Sequence, residues 1–521
     1  MSEPSTIIEL IAGGADAAPA IGAPGRNDLS YDGLRKHVAC TVAALAARDI
    51  GRNDRVAIVL PNGPEMATAF IAVAACATTA PLNPAYRLEE FDFYLRDLGA
   101  AALIVEQGSD SAAVAAARAL GVEVLEIAVA GDEPAGVFRF VEAPARGEKR
   151  GVRGGETEVA MRGGDGAHAG PEDVALVLHT SGTTSRPKIV PLRHANVCAS
   201  ARNVAATLHL GPADRCLNVM PLFHIHGLVA ALLATLRAGA SVFCTPGFNG
   251  LRFFAWMEEA RPTWFTAVPT MYQAILARAE RNRAAIDDAP LRFMRSASAS
   301  LPPQVLARAE EAFGVPLVEA YAMTEAAHQM TCNPLPPGER KPGTVGPAAG
   351  PEVAVMDEAG KLLAAGETGE VVIRGVNVTA GYENNPDANA AAFTAGWFRT
   401  GDQGRMDEDG YLTITGRLKE IINRGGEKVS PLEIDAVLME HPAVRQVVTF
   451  AVPHDKLGEE IAAAVVLAPE AQADGAELRD FCAARLAPFK VPRTVLVVEE
   501  IPKGPTGKMQ RIGMAERLGL A

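Results

Sequence analysis

The stretch His179-Thr-Ser-Gly-Thr-Thr-Ser-Arg-Pro-Lys188 crowds hydroxyl side chains, one glycine and two cations into a single short segment. Backbone N–H groups and hydroxyls in such a loop can wrap a phosphate chain, and a lysine at its end supplies charge. The segment has no second glycine and no Gly-Lys-Ser/Thr ending, which excludes the P-loop NTPases. A ligand-free polar turn would have the same composition, so the loop needs its context.

Working outward, Val174–Leu178 before the loop reads as a buried strand and Ala195–Leu208 after it as a helix. The alternation extends in both directions: a strand at Arg55–Leu60 with an alanine-rich helix near 64–78, then Cys216–Pro221, Leu228–Leu236, Ser241–Thr245, Phe253–Arg261, Trp264–Val268 and Leu291–Arg295. This predicts an α/β fold, parallel sheets covered by helices on both faces. Ligands in such folds sit beyond the carboxyl ends of the strands, where the 179–188 loop, the 295–301 loop and Tyr321–Glu325 all fall. Gly151–Gly170 is glycine-rich and aperiodic and reads as a surface connection. Gly366–Tyr411 changes texture to short strands and Gly/Asp turns, a small β-rich subdomain. After Lys419 a small α+β unit follows, with helices at 431–440 and 476–486 and strands near 445–452, 461–467 and 494–499.

Bulk properties narrow the function. At 521 residues the chain exceeds one ordinary core, so at least two domains are expected. A formal net charge of −13 argues against nucleic acid or an anionic membrane as partner. The seven cysteines are scattered and never in Cys-x-x-Cys spacing, which suits thiols in a reducing cytosol, not a disulfide or zinc framework. The N-terminus has no signal-peptide pattern, the ending Gly-Leu-Ala521 no peroxisomal address, and Met66–Pro81 is too short to span a bilayer. The expectation is a cytoplasmic enzyme, monomeric or homodimeric, acting on small molecules.

Downstream motifs resolve the loop's role. Pro221-Leu-Phe-His-Ile-His-Gly227, Tyr321-Ala-Met-Thr-Glu325, Gly369-Glu-Val-Val-Ile-Arg-Gly375, Trp397-Phe-Arg-Thr-Gly-Asp402, Gly416-Arg-Leu-Lys-Glu420 and Pro505-Thr-Gly-Lys508 follow in order. Their order and spacing resemble the adenylate-forming superfamily of acyl-CoA synthetases, luciferases and peptide-synthetase adenylation domains, from about residue 55 to about residue 511. Three local spellings resemble the oxalate–CoA ligases within it: Thr-Thr-Ser-Arg-Pro-Lys at 183–188, Arg295-Ser-Ala-Ser-Ala-Ser-Leu301, and Tyr-Ala-Met-Thr-Glu-Ala-Ala-His at 321–328. Two positions depart from the superfamily spelling: Ala322 replaces a glycine, as in the oxalate–CoA ligases, and Ile189 follows the loop lysine where glycine is usual, which puts the loop geometry in question.

The resemblance implies an N-terminal domain of residues 1–417 holding the ATP and acyl sites, and a mobile C-terminal lid of residues 418–521. It implies that a carboxylate attacks the α-phosphate of ATP, releasing pyrophosphate, and that coenzyme A then displaces AMP from the acyl-adenylate. Two anions must meet in the first step; at about 4 Å and an effective dielectric near 20 this costs roughly 4 kcal/mol per charge pair. Cations and Mg²⁺ must offset it. By resemblance Lys508 bridges the carboxylate and the α-phosphate, Glu325 holds Mg²⁺, Thr324 bonds the α-phosphate and Tyr321 stacks on adenine. Asp402 and Arg417 clamp the ribose, while Thr180, Ser181, Gly182, Thr183, Thr184 and Lys188 hold phosphate. Lys419 is the hinge; Arg424, Gly425, Gly426 and Lys428 come forward for coenzyme A.

A small dianion needs a short pocket rich in donors. The candidates are His226, Arg295, Ser298, Ser300 and His328, with His224 resembling the family's gating residue. Oxalate ranks first as substrate. The alternatives are a medium-chain or aryl acyl-CoA ligase, or a free-standing adenylation module that loads a carrier protein; no carrier domain follows Lys508.

Overall fold

The computed structural model of the chain describes residues 3–141, 168–180, 187–502 and 509–520. Two large sheets organise the chain as far as Cys332. One has eight strands, in the order His328–Cys332, Leu317–Met323, Phe293–Ser296, Trp264–Ala267, Arg215–Asn218, Ser241–Cys244, Pro19–Ala23 and Arg26–Ser30. The other has seven: Arg139–Phe140, Glu123–Ala128, Ala102–Glu106, Arg55–Val59, Thr78–Pro81, Val174–Thr180 and Lys188–Arg193. Inner strands pair in parallel and the outermost strands antiparallel, as in Phe265 beside Met294 against Tyr321 beside Thr331. In the seven-stranded sheet the central strands Arg55–Val59 and Ala102–Glu106 are runs of Val, Ile, Leu and Ala because helices close both faces.

The layering follows from which apolar groups meet. Ile58 and Val56 of the seven-stranded sheet share one core with Cys216 and Val242 of the eight-stranded sheet, through helices Pro64–Ala74 and His194–Thr207 between them. Outer faces have their own cores: Phe243, Phe265 and Met294 under helices Phe253–Ala260 and Pro303–Phe313, and Val59, Leu103 and Val177 under helices Leu88–Leu98 and Ala112–Leu120. The result is five layers, helix–sheet–helix–sheet–helix. Helix Pro64–Ala74 is buried on nearly all sides, which its Ala and Thr residues allow.

A five-stranded antiparallel sheet follows, built from Glu352–Met356, Thr368–Arg374, Phe393–Thr394, Trp397–Met406 and Leu412–Arg417. The C-terminal part has its own five-stranded sheet of Ile422–Arg424, Glu427–Val429, Val444–His454, Gly458–Leu467 and Thr494–Val497. Its cores contain only residues beyond 421: Ile422, Ile434, Val447 and Leu478 on one face, Val448, Phe450, Ile501 and Met514 on the other. The large N-terminal and smaller C-terminal arrangement is the one expected.

Most sequence-predicted elements occur within a few residues of their expected bounds. One differs in kind: Leu228–Leu236, read as an ordinary helix, is a π-helix over His226–Leu233 followed by α-helix Ala234–Arg237. The expected connection at Gly151–Gly170 falls almost wholly outside the described residues. Six of the seven cysteines are buried and all are free thiols. Among the described residues no helix is long and apolar enough to cross a membrane.

Candidate active site

The candidate residues gather where parallel strands end. Thr180 closes strand Val174–Thr180 and pairs with Lys188, which opens the antiparallel return strand. Ser181, Gly182, Thr183 and Thr184 lie outside the described residues. Ile189, the departure from the superfamily spelling, turns its side chain into the outer core beside Val177 and Leu82. Its bulk therefore supports the strand under the loop. The loop's base has a feature that sequence reading missed. His179 Nε2 lies 3.1 Å from Asp97 Oδ2, and its ring meets Tyr94 edge-on at 4.6 Å. Only folding brings helix Leu88–Leu98 to this point.

The run 321–328 carries three groups of contacts. In the first, Tyr321 donates its hydroxyl to Asp402, and Arg417 Nε reaches the other oxygen of Asp402 at 2.8 Å. Asp402 and Arg417 are cross-strand partners, so the hairpin itself fixes the pair. In the second, Tyr382 donates its hydroxyl to Glu325 Oε1 at 2.8 Å while Lys188 Nζ stands 4.3 Å from the centre of the Tyr382 ring. Burial raises the Glu325 carboxyl above its ordinary value, against the pull of the Tyr382 hydroxyl, Arg417 and Lys188. Tyr382 is thus a site residue that the sequence reading did not list. It lies in a Gly-Tyr-Glu-Asn-Asn turn whose composition signals only a loop. Thr324 begins the 3₁₀ turn Thr324–Ala326 and is half-buried.

The third group is histidine-rich. His226 Nδ1 lies 3.1 Å from Ser298 Oγ and its Nε2 lies 2.6 Å from Thr266 Oγ1. The His328 ring is 5.0 Å from the His226 ring. Both histidines are fully buried. Three nearby backbones are left-handed without glycine: Ser298 at φ +73°, Ala327 at +48° and His328 at +109°. Such strain collects where side chains are held in set positions. His224 is half-buried and its Nδ1 accepts from the His226 amide at 3.3 Å.

Two acyl candidates stand apart from this group. Ser300 is exposed. Arg295 is 0 % exposed and lies within the layer behind the histidines, donating from Nη2 to Gln329 Oε1 at 3.1 Å. The motif Arg-Ser-Ala-Ser-Ala-Ser has Arg295 still on strand Phe293–Ser296 and Ser300 on the loop beyond it, so they do not share an environment.

The remaining candidates belong to the C-terminal part. Lys419 is exposed at the centre of the 3₁₀ turn Leu418–Glu420, which joins the last strand of the preceding sheet to the C-terminal sheet. Gly425 and Gly426 form the two-residue turn between strands Ile422–Arg424 and Glu427–Val429, with φ of +61° and +97°. A two-residue hairpin needs left-handed geometry at both positions, which explains the glycine pair. Arg424 points inward: it holds both carboxylate oxygens of Glu460 and the Phe489 carbonyl. Lys428 is exposed, with Glu358 Oε1 3.8 Å away. Lys508 lies outside the described residues.

Among the described residues no cluster of three or more His, Cys, Asp or Glu could hold a metal. A divalent cation at Glu325 would complete its shell with phosphate oxygens and water. That is the habit of Mg²⁺, which binds through one or two carboxylates plus substrate phosphate. The buried single carboxylate therefore fits Mg²⁺ arriving with a nucleotide.

Comparison with known proteins gives the family. Residues 12–383 match the AMP-binding enzyme family and residues 433–508 its C-terminal domain. An oxalate–CoA ligase of Arabidopsis thaliana is 43 % identical over 97 % of each chain. A probable CoA ligase of Humulus lupulus, CCL9, is 45 % identical over 95 % of this chain and 93 % of its own. The crystal structure of ATP-bound MatB from Rhodopseudomonas palustris superposes with a TM-score of 0.87 at 29 % identity, covering 98 % of both chains. With both family segments in order along one chain and the polar groups converging at the strand ends, this protein belongs to the AMP-binding enzymes.

Proposed function

We propose that the chain joins oxalate to coenzyme A at the expense of ATP, with Mg²⁺, through an oxalyl-adenylate. A carboxylate oxygen attacks the α-phosphorus, the bond to the β-phosphate oxygen breaks, and pyrophosphate leaves. The thiol sulfur then attacks the activated carbonyl, loses its proton, and AMP departs with the carboxylate's original oxygen. Asp402 accepts from the ribose hydroxyls, steadied by Arg417; Tyr321 faces the adenine; Thr324, Lys188 and the 180–184 segment hold phosphate. Glu325, kept in place by Tyr382, is the protein's ligand to Mg²⁺, which supplies charge neutralisation on the phosphates when bound.

The observation that carries the substrate reading is the buried pairing of His226 and His328, ring centres 5.0 Å apart, with Ser298 on His226 Nδ1. Groups that donate and accept at such short range suit a second carboxylate better than an alkyl chain or aromatic ring. Identity of 43 % to oxalate–CoA ligases of Arabidopsis thaliana and Saccharomyces cerevisiae supports the same reading. We assign residues 1–417 to the body and 418–521 to a lid turning at Lys419, with His224 as the gate. Lys508 serves adenylation in one lid position; the Arg424–Lys428 hairpin serves the thioester step in the other. Arg424 supports that hairpin from within, while the turn glycines and Lys428 face outward. The seven-cysteine, disulfide-free composition suits a cytosolic site of action.

Pyrophosphate release, measured across oxalate, malonate, acetate, octanoate and 4-coumarate with and without coenzyme A, tests the proposal. Turnover confined to oxalate and raised by coenzyme A is the expected result. Preference for octanoate or coumarate would discard the dianion pocket and keep the family chemistry. In the same assay Lys508→Ala should abolish adenylate formation and spare thioester formation from supplied adenylate; equal loss of both would remove Lys508 from its role.

A further inference from the structure

Arg295 is one of the largest fully buried side chains of the protein. Its Nη2 donates to Gln329 Oε1, but Nε and Nη1 are buried without a hydrogen-bond acceptor. No carboxylate among the described residues pairs with it; its neighbours are the Cys332 thiol and the Tyr272 ring system, whose hydroxyl donates to the Arg295 carbonyl at 2.8 Å. An arginine stays protonated even where burial lowers its affinity for the proton, as it does here. A guanidinium in this position is a buried positive charge with no counterion, an expensive arrangement that packing alone does not require.

Its place in the sheet gives the charge a use. Arg295 is the cross-strand partner of Thr266 in a parallel pair, so the two side chains lie side by side on one face. Thr266 holds His226 Nε2 at 2.6 Å. On the other side Arg295 holds Gln329, the residue after His328, and Gln329 is itself braced by Thr207 Oγ1 and the Ala349 carbonyl, both at 3.1 Å. The cation therefore stands beside the wall made by His226, Ser298 and His328, hydrogen-bonded to the residue that follows His328 and cross-strand from the Thr266 that holds His226. The Gln329 amide turns its oxygen to the guanidinium and donates from its nitrogen elsewhere; being uncharged, it accepts one hydrogen bond and leaves the net charge in place.

We infer that Arg295 is the specificity-determining residue of the acyl site, a fixed positive charge behind the histidine wall that is neutralised only when a dianionic substrate enters. It selects for the second carboxylate through the low-dielectric layer without touching it. A monoanion, with its one carboxylate committed to the α-phosphate, leaves the charge uncompensated. This rests on the reading of the site as a dicarboxylate site.

The test compares Arg295→Met, which keeps an unbranched apolar stem and removes the charge, and Arg295→Lys with the wild-type chain. KM for oxalate, acetate and ATP, kcat for each acid, and the melting temperature are measured. Arg295→Met should raise KM for oxalate by roughly tenfold to a hundredfold, less than the loss of a charge in direct contact because the guanidinium acts through the histidine layer, while KM for ATP and kcat/KM for acetate hold or improve. The variant should melt no lower than wild type, because an uncompensated buried charge has been removed. Arg295→Lys should keep most of the preference for oxalate. Parallel loss with both acids, or a large drop in melting temperature, would make Arg295 a structural residue and overturn the inference. Unchanged discrimination would overturn it too. Absence of oxalate turnover by the wild-type chain is a separate failure, that of the substrate reading; the same variants are then compared on malonate against acetate, and unchanged discrimination there overturns the role of Arg295.

Discussion

Glu319 shows how a single residue here departs from its ordinary chemistry. It is 6 % exposed, Oε2 has no hydrogen-bond partner, and it faces a cavity of about 70 Å³ shared with Glu310, Asn333 and Arg340. Burial pushes its carboxyl from 4.5 up to about 7, against the pull of the Gly343 and Leu301 amides. A carboxyl raised in the folded state is protonated there while the unfolded chain has already lost its proton. Its contribution to stability is therefore fully present below about pH 4.5 and is lost as pH rises toward 7, where the deficit reaches about 3 kcal/mol. Glu319→Gln should raise the melting temperature by several degrees at pH 8 and leave it nearly unchanged at pH 5; equal shifts at both pH values would contradict this. The sequence marks Glu319 only as a strand residue before Tyr321. Its titration is set by what packs over it, and so is the burial of Arg295, which the sequence marks as a pocket candidate without showing that it lies behind the pocket.

At the scale of elements, the π-helix His226–Leu233 connects winding to chemistry. Wider winding at a helix start re-aims side chains, and such segments recur at functional sites. Here it delivers His226 to Thr266 and Ser298. The winding depends on Gly227: a Cβ there would stand 2.2 Å from the Pro221 carbonyl oxygen, backbone that cannot step aside. Gly227→Ala should lower stability by about 1–3 kcal/mol, the range of core overpacking. It should also raise KM for the carboxylate well above any change for ATP. A differential scan together with steady-state kinetics checks both, and a variant with normal carboxylate KM would separate the winding from the site. Apolar spacing over 228–236 predicted a helix and one exists, but periodicity does not distinguish i→i+5 from i→i+4 bonding. The close approach to Pro221 that settles it comes from tertiary packing.

Across the whole molecule, the C-terminal sheet holds its own two cores and follows on from the preceding sheet at the turn Leu418–Glu420. A part with a complete core can move as a unit about a short connection. Lys419→Pro restricts the backbone there and should slow thioester formation from supplied adenylate by roughly tenfold or more while altering adenylation far less. Single-turnover measurement of each half-reaction decides it, and equal effects would argue against a hinge at Lys419. The order of elements, the α/β class and the family motifs were all readable along the chain, because apolar period and local spelling are one-dimensional properties. Glycines 425 and 426 were readable for the same reason, since a two-residue turn is a local demand. Tyr382 on Glu325, Asp97 on His179, Gln329 on Arg295 and Thr266 on His226 were not. Each joins residues from separate strands or helices, and only the register of the sheets and the packing of the layers between them decide which side chains meet and which charges are left without water.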